Sequence, residues 1–317
     1  MGGCYESSTR YSPPINVWKT ASEGSLRGFF AKGNIEDLID AYKSYQNNNQ
    51  NGFIKHLLEH RKVGMSPKEF PEIEYEIKFN IDVTGKGKEP ELVEYLDAFD
   101  YPATKNARFL KDAINTVSVG ENYFFGKDDE EVLVVISKGG KTYLKEKSQP
   151  LPLQTTVPYQ EILIKRTEDR YEAPIEKVLA KLMELGKKDV EYKGVIRKEK
   201  GDYFMLDTWH GRIFSCTVTR AKMGENVQRQ LELEYAGYIP GFKGHEFENE
   251  TQLIETAVEL AKTIAVLNGK TKIKSWMAEL DITHQRKYDF VRSNGEPEEK
   301  PCFNLQKDLG RLIEGKK

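Results

Sequence analysis

Charged and apolar residues alternate strictly in the segment 72–83, which reads Glu-Ile-Glu-Tyr-Glu-Ile-Lys-Phe-Asn-Ile-Asp-Val. Successive side chains of a β-strand point to opposite faces of the sheet, so this period of two predicts a strand with one charged and one apolar face. The charged face carries Glu72, Glu74, Glu76 and Lys78. Carboxylates in line repel one another unless a cation lies between them, so this face needs an explanation.

Further strand-like segments follow with few helices between them. They cover residues 131–137, 141–147, 161–166, 192–200, 203–208, 212–220 and 228–238. Gly139-Gly140 separates the first two of these segments and predicts a hairpin turn. Because so many strands follow one another directly, we expect a mainly antiparallel sheet.

Two helices are predicted within this series. One begins at Pro174 and ends before Gly186. The other begins at Asn249, which with Gln252 resembles a capping box, and ends at Gly269. Its apolar stripe consists of Leu253, Ala257, Leu260, Ala261, Ile264 and Leu267. Such a stripe is typical of a helix that packs one face on a sheet.

The composition argues against several classes of protein. Basic and acidic residues nearly balance, 48 against 50, which disfavours a chain that coats double-stranded DNA with its whole surface but permits a local basic channel. The three widely spaced cysteines, Cys4, Cys216 and Cys302, exclude a disulfide framework and favour a reducing, cytoplasmic compartment. No apolar run approaches the roughly 18 residues that a membrane span requires, and we expect no secretory signal.

A second acidic pair occurs near the end of the strand series. Glu232 and Glu234 are separated by one apolar residue, as Glu74 and Glu76 are. If both strands turn these faces into a closed barrel, the four carboxylates offer the hard oxygen ligands that Mg²⁺ or Mn²⁺ prefers. The alternative is that each charged face contacts water while the apolar face packs on the core.

Basic residues occur along the strands between the two acidic pairs. They are Lys145, Lys147, Lys165, Arg166, Arg197, Lys198 and Lys200. Ammonium and guanidinium groups neutralise phosphate oxygens, so a shared inward orientation would build a site for several phosphates. For any single lysine, a solvated strand face is the alternative.

Five short segments resemble, in order, the motifs of the CYTH superfamily, also called triphosphate tunnel metalloenzymes. They are Glu74-Tyr75-Glu76-Ile77-Lys78 for the E-x-E-x-K signature, Lys145 to Lys147 for the basic hairpin strand, Arg166-Thr167-Glu168 for an R-x-E strand, residues 198–203 for the K-x-R-x-x-Y segment, and Glu232-Leu233-Glu234 for the closing E-x-E. Two positions depart from the family's pattern. Lys200 stands where the family often has Arg, and Thr219 stands where many relatives carry Asp.

This resemblance implies an α+β protein built on an eight-stranded antiparallel β-barrel, a tunnel with surrounding helices. The implied metal ligands are Glu74, Glu76, Glu232 and Glu234, the implied catalytic residues are Glu74, Glu76, Lys78 and Glu168, and the basic residues of the intervening strands would hold the substrate. The implied reaction is metal-dependent hydrolysis of a phosphoanhydride bond in inorganic triphosphate, a nucleoside or thiamine triphosphate, or an RNA 5′-triphosphate. A class IV type adenylyl cyclase and a non-catalytic polyphosphate- or nucleotide-binding module remain alternatives.

Three parts are expected along the chain. Residues 1–70 form a predicted helical lead-in that packs on the barrel, residues 71–292 form the tunnel domain, and residues 293–317 form a linker and a short C-terminal helix. The pattern does not predict the oligomeric state.

Overall fold

The structure is a computed structural model that describes residues 73–99, 108–111, 116–127, 130–137, 142–153, 155–172, 190–238 and 250–295, together with residues 177, 180 and 184–187. The predicted lead-in, the turn at 139–140, most of the helix predicted after Pro174 and the segment 296–317 lie outside these residues. The division into three parts therefore stays a prediction.

The described part of the chain includes eleven strands, three α-helices and a short 3-10 helix, Gln160–Ile162. The strands are β1 (Ile73–Gly85), β2 (Phe109–Lys111), β3 (Thr116–Lys127), β4 (Glu130–Ser137), β5 (Thr142–Lys147), β6 (Leu163–Glu172), β7 (Glu191–Asp207), β8 (Arg212–Met223), β9 (Asn226–Tyr238), β10 (Lys270–Ile273) and β11 (Trp276–Ile282). The helices are α1 (Leu92–Ala98), α2 (Glu250–Asn268) and α3 (Lys287–Asn294).

Eight of the strands close into an antiparallel barrel. Their order around the wall is β1-β6-β5-β4-β3-β7-β8-β9, and β9 pairs again with β1. β1 closes the ring because its residues 73–77 pair with β6 on one edge while residues 76–80 pair with β9 on the other. The predicted fold class, an α+β protein built on an eight-stranded antiparallel barrel, is confirmed.

β1 is longer than the barrel wall and continues beyond it. Its residues 79–85 pair with β11, which in turn pairs with β10. After β11 the chain turns back to the barrel, since the backbone N–H of Thr283 donates to the carbonyl of Lys78 at 3.0 Å. This return places α3 at the barrel.

The predicted strands are all found, with differences in their bounds. Residues 192–200 and 203–208 belong to one continuous strand, β7, because the backbone stays extended through Gly201. A Cβ atom on Gly201 would lie 2.6 Å from Leu96 Cδ1, so this glycine permits close packing of α1 and does not mark a turn. The pattern does not predict β3, in which Gly120 and Gly126 interrupt the alternation.

The apolar faces of the barrel strands point outward and form the main core with the helices. Tyr75, Ile77 and Phe79 of β1 are buried in one cluster with Leu233 of β9 and Leu253 of α2. Burial of such side chains stabilises the fold by about 1.5–3 kcal/mol each. Because the side chains alternate, the charged faces of the same strands point into the barrel.

A second apolar cluster lies inside the barrel wall and holds α3. Phe124 of β3 and Ile196 of β7 pack there with Tyr288 and Val291 of α3. The first residue of this helix, Lys287, is thereby fixed beside the barrel interior. Among the described residues, no helix combines the length and apolar character needed to cross a bilayer.

Candidate functional site

The barrel encloses a cavity of about 590 Å³ with a strongly charged lining. Ten predicted site residues line it: Glu74, Glu76, Lys78, Lys145, Lys147, Arg166, Lys198, Lys200, Glu232 and Glu234. They come from five strands, β1, β5, β6, β7 and β9, whose alternating side chains point inward. The barrel thus brings both acidic pairs and most of the predicted basic residues to one interior space.

Three predicted site residues lie elsewhere. Glu168 contacts the cavity lysines, as its carboxylate forms ion pairs with Lys145 at 2.7 Å and with Lys147 at 2.9 Å. Lys165 belongs to the opposite face of β6, where its ammonium lies 2.5 Å from a carboxylate oxygen of Glu250 in α2. Arg197 is exposed to solvent. The structure therefore does not bring Lys165 or Arg197 to the cavity, because each is one residue out of phase with the inward face.

A buried guanidinium joins the two carboxylates of the first acidic pair. Arg166 Nε donates to Glu74 Oε2 at 2.6 Å, and its Nη2 donates to Glu76 Oε2 at 3.0 Å. Burial opposes the charge of Arg166, but the carboxylates of Glu74 and Glu76 outweigh it and raise the pKa of this guanidinium. Half of the pair's negative charge is therefore balanced by a cation that stays charged at any ordinary pH.

Lysines of β5 reinforce this neutralisation. Lys147 Nζ donates to the two carboxylate oxygens of Glu74 at 3.0 and 3.1 Å. Although burial opposes ionisation, Lys147 and Arg166 hold the pKa of Glu74 well below its usual value. Burial likewise opposes ionisation of Glu168, and Lys147 and Lys145 lower its pKa to about 2. Both carboxylates are thus ionised and paired at neutral pH.

The second acidic pair meets a cation from α3. The ammonium of Lys287 contacts the carboxylate of Glu232 and also donates to Gln230 Oε1 at 3.1 Å. Burial opposes ionisation of Glu232, but Lys287, Lys198 and nearby cations hold its pKa well below the usual value. Sequence reasoning misses Lys287, because only the tertiary packing of α3 brings it inside the barrel.

Arg286 and Glu131 also line the cavity and were not predicted. Arg286 precedes α3, and its backbone N–H and its guanidinium Nε both donate to Asp289 Oδ2 at 3.0 Å. The basic run Arg286-Lys287 ahead of an apolar stretch is a detectable sequence signal. It does not by itself distinguish an interior helix from a surface helix.

The carboxylate side chains of the cavity are of the type that binds a divalent metal ion, but their positions are not those of a metal site. Carboxylate oxygens suit Mg²⁺ or Mn²⁺, and Glu76 lies directly opposite Glu234 in the pairing of β1 with β9. However, the described residues contain no group of three or more His, Cys, Asp or Glu side chains arranged around a metal position. Glu74, Glu76 and Glu232 each contact a basic side chain. As arranged, these residues do not fit a metal ion, and the predicted metal site stays a prediction.

Comparison with known proteins finds similarity among solved structures alone. No protein-family model and no curated protein matches the sequence. The PH1012 protein of Pyrococcus horikoshii OT3 is similar, with 14% identity over 68% of this chain and 98% of that chain and a TM-score of 0.38. A Bacillus halodurans protein described as a candidate adenylate cyclase has 13% identity over 62% of this chain and 92% of its own, with a TM-score of 0.32.

The RNA triphosphatase Pct1 of S. pombe is a further similar structure, with 13% identity over 68% of this chain and 86% of its own and a TM-score of 0.26. At these identities nothing about activity follows. The five motif-bearing strands of this chain, β1, β5, β6, β7 and β9, lie in the wall of one closed antiparallel barrel. The eight-stranded antiparallel barrel that the resemblance of the sequence implies is thus confirmed at the level of the fold.

Proposed function

We propose that the barrel binds the triphosphate group of a small molecule or of an RNA 5′ end, and that the chain hydrolyses one of its phosphoanhydride bonds. The observation that carries this proposal is the surplus of basic groups around the cavity. The basic lining residues are Lys78, Lys145, Lys147, Arg166, Lys198, Lys200, Arg286 and Lys287, whereas the acidic ones are Glu74, Glu76, Glu131, Glu232 and Glu234. An enclosed surplus of positive charge favours a ligand with several negative charges.

The same groups supply what phosphoryl transfer requires from a protein. This reaction depends mainly on positioning and on stabilising the charge of the transferred group, with little covalent chemistry by side chains. Lys145 of β5 and Lys198 and Lys200 of β7 line the cavity and are the proposed phosphate contacts. Glu168 stays ionised beside Lys145 and is the proposed residue that orients the attacking water.

A second candidate function is binding without turnover. The carboxylates of Glu74 and Glu76 accept hydrogen bonds from Arg166, so their lone pairs are engaged by the protein itself. Carboxylates engaged in this way are poorly placed to position a metal ion, which favours a polyphosphate- or nucleotide-binding module. Cytoplasmic location and the lack of double-stranded DNA binding stay predictions from composition.

A phosphate-release screen with the full chain tests the proposal. The substrates are inorganic triphosphate, ATP, thiamine triphosphate and a 5′-triphosphorylated RNA, each with EDTA, Mg²⁺ or Mn²⁺. Orthophosphate release supports hydrolysis, pyrophosphate with a cyclic nucleotide indicates a cyclase, and saturable binding without product indicates a binding module. Absence of both binding and product with every substrate would sink the proposal.

Matched variants of two neighbouring residues link the assay to the cavity. Lys198 lines the cavity, whereas Arg197 on the same strand is exposed. Lys198→Gln should therefore lower triphosphate binding or turnover, and Arg197→Gln should leave both unchanged. Equal loss in both variants would place the ligand outside the barrel.

A further inference from the structure

The charged groups of the cavity fall into two regions with different pairing. In the region formed by β1, β5 and β6, cations and carboxylates neutralise each other, as Arg166 and Lys147 both bind Glu74. Lys78 Nζ likewise lies 3.0 Å from Glu76 Oε2. An incoming divalent ion would have to displace these cations before it reached a carboxylate oxygen.

For Lys198 and Lys200 of β7, the described strands place no carboxylate directly opposite. Lys198 lies directly between Gly120 of β3 and Ala221 of β8, neither of which carries a charge. Lys200 lies in the same way between Ser118 and Thr219.

Neither lysine forms a salt bridge with a carboxylate in the described part of the chain, although both line the cavity. Directly opposite carboxylates are the usual partners of a strand lysine, and here their positions hold small uncharged residues.

α3 adds a third ammonium group to this region. Lys287 contacts Glu232, and the charges of Lys287 and Lys200 both act on Lys198. One carboxylate, that of Glu232, is thus shared among closely spaced ammonium groups. Such a cluster is destabilised by its own repulsion until an anion enters it.

We infer that the cavity binds the triphosphate group directly through Lys198, Lys200 and Lys287, without a divalent metal ion. This inference rests on the proposed function, because it concerns the same cavity and ligand class. Three ammonium groups supply the positive charge that a metal would otherwise bring. Glu74, Glu76 and Glu232 then serve to hold Arg166, Lys147 and Lys287 in place, and they do not ligate an ion.

Titration calorimetry of the full chain with sodium tripolyphosphate tests this inference. The experiment is run in EDTA and then with excess Mg²⁺ or Mn²⁺. We expect saturable binding in EDTA that added metal does not strengthen. Binding that requires metal would overturn the inference and leave the proposed function intact. Absence of binding under every condition would overturn both.

Variants identify the binding groups. Each loss of a charge-assisted contact should weaken binding about tenfold or more, so Lys198→Gln and Lys287→Gln are measured in EDTA. Arg197→Gln is the matched control and should change the affinity less than about twofold. Lys200→Gln replaces Lys198→Gln if thermal unfolding shows that the latter does not fold. Unchanged affinity in the folded cavity variants would overturn the inference.

A metal-binding experiment supplies an independent readout. Removing the ammonium in Lys287→Ala uncovers the carboxylate of Glu232. We expect Mn²⁺ alone to bind this variant more tightly than the wild type, as measured by the loss of the free Mn²⁺ signal in electron paramagnetic resonance. Tight Mn²⁺ binding by the wild type would overturn the inference.

Discussion

Arg166 on β6 lies directly opposite Glu74 on β1, and its Nε donates to Glu74 Oε2 at 2.6 Å. Both side chains are buried inside the barrel, with Arg166 only 3% exposed. A charge in such surroundings is tolerated only when it is paired, so each of these two residues fixes the other. The consequence is a barrel interior in which the structural ion pairs and the proposed ligand contacts occupy the same cavity.

Replacing Arg166 with Gln should lower the free energy of unfolding by about 3 kcal/mol, the lower end of the range for removing one partner of a buried ion pair. The effect stays at the lower end because Lys147 still binds Glu74, and Lys78 still binds Glu76. Urea-induced unfolding of the full chain, followed by circular dichroism, measures the loss.

Lys165→Gln is the matched control for this variant. Lys165 precedes Arg166 in the chain but faces Glu250 outside the cavity. Its replacement should cost about 1 kcal/mol or less, as for a partly solvated pair. Equal losses of unfolding free energy in the two variants would contradict the stabilising role of the buried ion pair between Arg166 and Glu74.

The ion pairs of Glu89 predict how the free energy of unfolding changes at acidic pH. Its carboxylate accepts hydrogen bonds from Arg229 at 2.6 and 2.7 Å and from Arg220 at 3.2 Å. Although burial opposes ionisation, these arginines lower the pKa of Glu89 to about 2. A carboxyl with a lowered pKa stabilises the fold above its unfolded pKa, and this stabilisation is lost as pH falls from about 4.5 towards 2.

Glu89→Gln should therefore flatten the decrease in stability between about pH 4.5 and 2. At neutral pH the expected cost is on the order of 1 kcal/mol, because the group is partly exposed and solvent screens it. Urea unfolding at several pH values measures both effects. Glu225→Gln, in the exposed turn between β8 and β9, is the control. An identical acid dependence in Glu89→Gln and the wild type would refute the assignment.

How far the sequence predicts this molecule depends on the length of each alternating run. In β1 the charged and apolar residues alternate without interruption, so the strand and the common face of Glu74, Glu76 and Lys78 are predicted correctly. The alternation alone leaves open whether that face points inward, and the closed barrel decides it. At 165–166 two adjacent basic residues occur, and alternation allows only one of them to face inward. The sequence does not say which one, and the pairing of Arg166 with Glu74 decides it.

The contribution of α3 is not predictable from local pattern. Lys287 reaches the cavity because Tyr288 and Val291 pack against Phe124 inside the barrel. These contacts join residues more than a hundred positions apart, and no periodicity in either segment records them. The failure to predict β3 has a related cause. The glycines of β3 interrupt the alternation, and the strand forms because its backbone pairs with β4 and β7.

Gly194 is predicted to be essential for the packing of α3. Its φ of +148° is rarely adopted by other residues, and a Cβ atom there would lie 2.8 Å from Met223 Cε and 2.9 Å from Val291 Cγ1. Gly194→Ala should therefore combine backbone strain with overpacking and lower the free energy of unfolding by about 2–4 kcal/mol. Thermal and urea unfolding measure this loss.

Gly224→Ala separates strain from packing. Gly224 also has a positive φ, +56°, but a Cβ atom there would meet nothing within 4 Å. Its replacement should cost about 1–2 kcal/mol from the left-handed backbone alone. If Gly194→Ala cost no more than Gly224→Ala, the close contact with Val291 would not matter to stability.

The lowered pKa of Lys198 predicts that ligand binding is linked to proton uptake. Burial, followed by the charges of Lys287 and Lys200, holds the pKa of Lys198 well below its usual value. A bound anion favours the protonated amine, so Lys198 must take up a proton on binding when the pH lies above its lowered pKa. The affinity for tripolyphosphate should accordingly fall as the pH rises through this lowered pKa.

Calorimetry in buffers of different ionisation enthalpy measures the protons taken up at each pH. Tripolyphosphate titrates in the same range, but its contribution is common to every variant, so the difference between the wild type and Lys198→Gln isolates the lysine. We expect Lys198→Gln to bind more weakly and take up fewer protons, and Arg197→Gln, whose side chain is exposed, to match the wild type. The same proton uptake in Lys198→Gln as in the wild type would show that Lys198 is already protonated in the empty cavity, and would refute the linkage between binding and protonation of this lysine.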